Sequence, residues 1–189
     1  MTHVFKTKNG REVRDGGGIT PDYLIPQEKG GTIGYYLLTE NIIFDYVTGW
    51  VIKHPTVASP ASFRLSDTDY EQFKQFVKTK DFQYDQMSNR SLQSLKNIME
   101  FEGYFNTASE EFKALEEKLQ PDLDRDLDLF RKEIIKMIET EIVQRYYYKE
   151  GVLMYELRDD AALKKAEEVL KNKQLYDYTL QPKPATIPQ

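Results

Sequence analysis

The sequence predicts a mainly α fold: a helical domain of about five to seven helices behind a short β-hairpin. Three observations carry this. Glycine is concentrated at the front, with seven of ten at or before Gly34. Beyond that point apolar residues recur every three or four positions, the period of an amphipathic helix. The longest such stretch, residues 122–149, is acidic at its start and basic at its end, as the helix dipole favours.

The elements follow in order. Val4-Phe5 and Val13 flank Asn9-Gly10, the preferred pair for a two-residue hairpin turn because both positions of such a turn need positive φ. Gly16-Gly17-Gly18 leads into Ile19-Thr20-Pro21-Asp22 and an extended run, Tyr23-Leu24-Ile25, stopped by Pro26. A two-stranded hairpin is marginal in water by itself, so these strands read as part of a larger sheet. Gly30-Gly31 reads as a hinge or loop. A first helical stretch runs from Thr32 or Thr39 to Lys53, and Pro55 ends it. The next helix has Ser66 as N-cap, Asp67 and Asp69 in its first turn and Lys78 near its end. A third spans Ser88–Glu102 with Leu92, Leu95, Ile98 and Met99 inward and Gly103 as its stop. A fourth spans Ser109–Leu119 before Pro121. The fifth is one long helix, Asp122–Lys149, with Leu123, Leu127, Phe130, Ile134, Met137 or Ile138, Ile142 and Arg145 or Tyr146 on one stripe. Val152–Leu157 and Ala161–Lys171 complete the helices, the last with Leu163, Ala166, Val169 and Leu170 inward. Three prolines, Pro182, Pro184 and Pro188, lead to the expectation of a flexible tail. The domain boundaries expected are 1–31, 32–180 and 181–189.

Composition narrows function. The net charge of −5 lacks the basic excess of a nucleic-acid grip, so no nucleic-acid partner is expected. The absence of cysteine excludes disulfides and thiolate-bound metals. The most apolar region, Thr32 to His54, is interrupted by Thr39, Glu40, Asn41 and Asp45, and no membrane span is expected.

The segment Lys8-Asn9-Gly10-Arg11 followed by Gly16-Gly17-Gly18-Ile19-Thr20-Pro21-Asp22 resembles a motif of the carboxy-terminal processing (tail-specific) serine peptidases. In that family a Gly-Arg hairpin precedes a Gly-x-Gly-Ile-x-Pro-Asp segment; Gly10, Arg11, Gly16, Gly18, Ile19, Pro21 and Asp22 occupy those positions. The triple glycine, with Phe44-Asp45, Lys53-His54-Pro55 and Arg145-Tyr146-Tyr147-Tyr148 further on, looks like the version found in envelope peptidases of Bacteroidetes-type bacteria. The resemblance implies that residues 1–31 end a peptidase domain, the hairpin being a remnant of its sheet. It implies a helical accessory domain in residues 32–180 and a periplasmic or cell-envelope parent that cleaves polypeptides near their C-termini. The family's serine nucleophile and lysine base precede the glycine motif, as does its PDZ module. No catalytic residue carries over to this chain, which is expected to be inactive alone. The peptidase domain of the same polypeptide is the implied partner.

The remaining residues point to no independent active site. His3 stands near the start, and His54 reads as a helix-ending surface histidine. The glycine run fits neither Gly-x-Gly-x-x-Gly nor a P-loop. Asp122, Asp124, Asp126 and Asp128 lack the glycine and glutamate of a calcium loop and read as a solvated helix start. No cofactor or metal is expected. Arg145, Tyr146, Tyr147 and Tyr148 form the candidate interface, to other helices, to the peptidase domain or to a homodimer mate. Consecutive residues lie about 100° apart on a helix, so the three tyrosines cannot share one face. The alternative reading is a stand-alone helical protein-binding or scaffold module.

Overall fold

The structure, a computed structural model, describes residues 3–16, 18, 20–26, 30–84 and 87–182. Ile19 and Gly17 of the glycine segment and residues 183–189 of the tail lie outside the described residues. Among the described residues the elements are two strands, nine α-helices and a 3-10 turn, so the architecture is mainly helical behind an N-terminal hairpin. The chain divides into two compact units, Lys29–Tyr155 and Met1–Glu28 with Glu156–Gln189.

The unit Lys29–Tyr155 holds the core. Helices α1 (Thr32–Thr39) and α2 (Ile42–Lys53) occupy the stretch read as one helix. The break comes from Asn41, which takes a left-handed conformation (φ 60°) that asparagine tolerates better than most residues. The turn reorients the chain so that Ile33 and Leu37 on α1 and Ile43 and Val47 on α2 all become buried. Helix α3 (Asp67–Lys78) is capped by Ser66, whose Oγ accepts from the Asp69 N–H at 3.1 Å. It buries Tyr70, Phe73 and Val77.

Helix α4 (Met87–Glu102), the 3-10 turn Phe105–Thr107 and helix α5 (Ser109–Leu119) follow. Only part of their apolar residues turns inward. Leu92 and Phe112 are buried, whereas Leu95, Ile98 and Leu115 are about half exposed, contrary to the inward placement expected for Leu95 and Ile98. Periodicity identifies a helix's apolar face but not whether anything covers it.

The segment read as one long helix is helix α6 (Leu123–Leu129) and helix α7 (Arg131–Arg158). Phe130 leaves helical geometry between them (φ −99°, ψ 16°). Its ring sits where a side chain on Gly31 would be, 2.5 Å from an added Cβ. Close approach is therefore the reason for glycine at position 31, and the Gly31 N–H donates to Glu133 Oε2 at 2.7 Å. The stripe Leu127, Ile134, Ile138 and Ile142 is fully buried, as its spacing requires.

Helix α7 turns back on itself. Tyr148 has φ 56° and ψ −159° inside it. Tyr155 nevertheless hydrogen-bonds Glu139, 16 residues earlier. In a straight helix that separation is about 24 Å, beyond the reach of the two side chains. The arms before and after Tyr148 therefore close on each other. Gly151 lets them: an added Cβ would lie 2.1 Å from Tyr147 Cβ and 3.3 Å from Val143 Cγ1.

The unit Met1–Glu28 with Glu156–Gln189 contains strands β1 (Val4–Lys6) and β2 (Glu12–Arg14), antiparallel with Phe5 opposite Val13. It also contains helices α8 (Ala161–Lys171) and α9 (Lys173–Thr179). Helix α9 is not foreseen by the sequence reading. Asn172 starts it, its side chain accepting from the Leu175 N–H at 3.1 Å. Every strand residue is exposed, and of the apolar side chains expected inward on α8 only Val169 is buried.

Candidate functional site

The peptidase-like motif organises the smaller unit around one arginine. The hairpin turn is longer than the two residues expected: Gly10 alone takes positive φ (+80°), Asn9 does not, and the Gly10 N–H donates to the Thr7 carbonyl at 2.9 Å. That turn sets Arg11 at the head of β2 with its guanidinium half-buried. One end donates to the Asp22 carboxylate, and Nη1 donates to the Thr179 carbonyl at 3.2 Å. A guanidinium held by a carboxylate and a carbonyl is a charge-assisted joint, stronger than a neutral hydrogen bond. Gly16 (φ +76°) and Gly18 (φ +85°) shape the path from Arg11 to Pro21 and Asp22. Nothing lies within 4 Å of a Cβ on Gly18, so there conformation and not crowding calls for glycine. Beyond Asp22, the Tyr23 hydroxyl meets Thr179 Oγ1 at 2.8 Å and the Lys165 ammonium lies 5.0 Å from the Tyr23 ring centre. A groove of about 400 Å³ opens here between Tyr23, Ile25, Val169, Leu170, Tyr176 and Leu180. Gly10, Arg11, Asp22 and Tyr23 are thus brought together, with Thr179 as a partner that sequence spacing did not reveal.

The larger unit builds its polar interior from carboxylates. Glu139 is 2% exposed and accepts from the Leu65 N–H and the Tyr155 hydroxyl. A buried carboxylate needs such donors, since burial without them is costly. The sequence carried a signal for it: Ile135, Ile138, Ile142 and Val143 surround position 139 at helical spacing, which puts Glu139 on the buried face. Asp126, also buried, accepts from Tyr84 at 2.7 Å and from Arg125 Nε at 3.0 Å. Burial, with the Asp126 hydrogen bond second, raises the Tyr84 pKa above the ordinary phenol value. Burial likewise raises Tyr46 and Tyr70, whose hydroxyls donate to the Asp69 carbonyl at 2.6 Å and the Leu127 carbonyl at 2.7 Å.

The other acidic residues near the α6 start are paired one by one. Asp122 caps the helix through the Arg125 N–H at 3.0 Å, Asp124 pairs with Lys78 at 2.7 Å, and Asp128 pairs with Lys74 at 2.7 Å. Among the described residues no three His, Asp or Glu side chains converge as a metal site. His54 stacks on Trp50 with ring centres 3.8 Å apart, and its Nδ1 lies 2.8 Å from the Trp50 carbonyl. Trp50 Nε1 in turn donates to Asp69 at 2.9 Å. The Ser59 and Ser62 hydroxyls meet each other at 2.8 Å. Both arrangements are those of caps and turns.

The candidate interface residues divide. Arg145 donates through Nε to Glu141 at 2.9 Å, and its guanidinium covers the Phe44 ring at 4.4 Å. Tyr146 donates to the His54 carbonyl, and Tyr147 to the Val57 carbonyl at 3.0 Å. Both hydroxyls tie α7 to the loop after α2. Tyr148 points away and is 77% exposed.

A family model described as "Probable PDZ-protease, C-terminal helical domain" matches residues 33–170. This chain belongs to that family. No curated protein and no solved structure matches it. The chain is therefore a protease-associated helical domain, of the kind that forms the C-terminal part of a PDZ-protease. The matched span opens at Ile33, the first buried residue of α1, and contains Asp69, Asp126, Glu139 and Tyr155. Arg11, Asp22 and Thr179 fall outside it. No helix among the described residues is long and apolar enough to cross a membrane.

Proposed function

We propose that this chain is the C-terminal accessory part of a tail-specific serine endopeptidase, contributing support and no chemistry. Residues 1–31 are then the end of the peptidase domain, and residues 32–180 a helical bracket on it. The parent cleaves polypeptides near their C-termini with a serine–lysine pair encoded ahead of Met1, in the periplasm or cell envelope. The observation that carries the reading is the coincidence of two independent signatures. The match to the PDZ-protease helical domain begins at residue 33, shortly after a Gly-Arg…Gly-x-Gly-Ile-x-Pro-Asp segment that resembles the peptidase motif and ends at Asp22. The exposed three-residue strands agree with it, because side chains of an intact sheet would have cover. So does the Arg11–Asp22 joint, which holds two ends of the motif in register.

The test is biochemical. The 189-residue chain is incubated with an unfolded protein and with a fluorophosphonate probe for active serines. Neither cleavage nor labelling is expected. In the gene encoding the parent, codons before Met1 are expected to supply a serine and a lysine in family spacing. Labelling of the isolated chain, or an upstream sequence without that pair, defeats the reading.

A further inference from the structure

The fold-back of α7 rests on one strained residue, and the inference drawn from it is independent of the peptidase reading. Tyr148 occupies φ 56°, ψ −159°, a region that is essentially glycine-only. No contact of its side chain explains that conformation, since Tyr148 is 77% exposed. The constraint comes from the arms on either side. They meet through Glu139 and Tyr155 and through Gly151 against Tyr147 and Val143. Helical backbone angles run up to Tyr148 and resume directly after it, with no loop between the arms. If Tyr148 took ordinary helical angles, α7 would be one straight rod, and residues 149–155 would leave the surface around Glu139. Glu139 then loses the Tyr155 hydroxyl and Val143 its packing against Gly151, and burial makes both losses costly. The surface shaped to restore both contacts is the same arm of a second copy.

We infer that α7 is a domain-swap hinge: it straightens at Tyr148, and two copies exchange the chain from residue 149 onward, the Tyr155 of each donating to the Glu139 of the other and the Arg11 of each to the Thr179 carbonyl of the other. The swap creates no new contact within the exchanged interface. It relieves the Tyr148 backbone in both copies and is opposed only by the entropy of association, so it is concentration-dependent.

Two substitutions separate this from ordinary surface association. Tyr148→Gly relaxes the folded-back turn and weakens a straight helix, so it is expected to suppress dimers. Tyr148→Ala keeps the strain and favours the straight helix, so it is expected to promote them. The dimer dissociation constants of the two variants should differ by roughly tenfold or more. Light scattering on the 189-residue chain, from low micromolar to several hundred micromolar after warming and slow cooling, reads the constants.

Because the chain has no cysteine, Lys136→Cys with Met154→Cys gives a clean spin-label pair. Diluted with unlabelled chain, it reads the distance within one polypeptide. That distance is about 27 Å along a straight helix and under about 20 Å when folded back. The expected result is the long distance in the dimer and the short one in the monomer. A dimer that keeps the short distance overturns the proposal. So does a Tyr148→Ala chain that stays monomeric at every concentration while folded by circular dichroism.

Discussion

Glu139 and Tyr155 illustrate how single residues hold this domain together. An acid on the buried face of α7 is tolerated because the Leu65 N–H and the Tyr155 hydroxyl both point at it. Removing one donor leaves a carboxylate in a site closed to water. Tyr155→Phe changes almost no volume, so the cost is that of the lost charge-assisted hydrogen bond, about 1.5–3 kcal/mol. Urea unfolding followed by Trp50 fluorescence should show a lower midpoint with an unchanged slope. An unchanged midpoint would mean that the Glu139 carboxylate draws its support from elsewhere. The Arg11–Asp22–Thr179 joint is its counterpart in the smaller unit, but it lies nearer to water and its ion pair contributes less.

At the scale of elements, two glycines show that helical context alone does not set the outcome of a substitution. Gly49 lies inside α2 with nothing within 4 Å of an added Cβ. Gly49→Ala is therefore expected to stabilise the fold by about 0.5–1 kcal/mol, through helix propensity and a less disordered unfolded chain. Gly151 lies inside α7 where an added Cβ would overlap Tyr147 Cβ at 2.1 Å. Gly151→Ala must push the two arms apart and is expected to cost about 1–3 kcal/mol. Thermal melts of the two variants should move in opposite directions. The α4–α5 pair presents the reverse case, with Phe101 93% exposed and Leu95, Ile98 and Leu115 about half exposed. Its apolar face is formed by local periodicity and is left without cover by the rest of its unit.

Over the whole molecule, the buried tyrosines and a paired lysine give stability a common pH dependence. The folded state holds Tyr46 and Tyr70 neutral by burial, raising both above their unfolded value of 10.0. Lys74 is held protonated chiefly by its hydrogen bond to Asp128, which raises it above 10.5. In each case the folded state binds its proton more tightly than the unfolded chain. The stabilisation is complete below the unfolded values and is lost as pH climbs above them. The two buried tyrosines alone should lower the unfolding free energy by about 3 kcal/mol between pH 9 and pH 11. Urea midpoints across that range measure it, and a flat profile would contradict the burial of these hydroxyls. Tyr46, Tyr70 and Lys74 all belong to the unit Lys29–Tyr155, which also contains the whole main core cluster, so the loss is expected there.

What the sequence by itself determined is local. Ser66 as a cap, the α3 and α5 spans, the pairing of Val4–Lys6 with Glu12–Arg14 and the buried stripe from Leu127 to Ile142 all depend on nearby positions in the chain. Side-chain periodicity and backbone propensity report such relations directly. The resemblance to a processing peptidase was legible for a similar reason, since the Gly-Arg and Gly-x-Gly-Ile-x-Pro-Asp residues lie together in the chain, although they stand outside the matched span 33–170. What only the tertiary structure decided are relations between distant residues. Arg11 meets Thr179 across 168 positions, Leu65 meets Glu139 across 74, and Phe130 fills the space that Gly31 leaves. The reversal of α7 belongs here too. Tyr148 is a poor residue for the conformation it holds, and nothing in its own sequence context calls for that conformation. The arms on either side impose it, because closing Tyr155 onto Glu139 and burying Val143 against Gly151 outweighs the strain of a single backbone position.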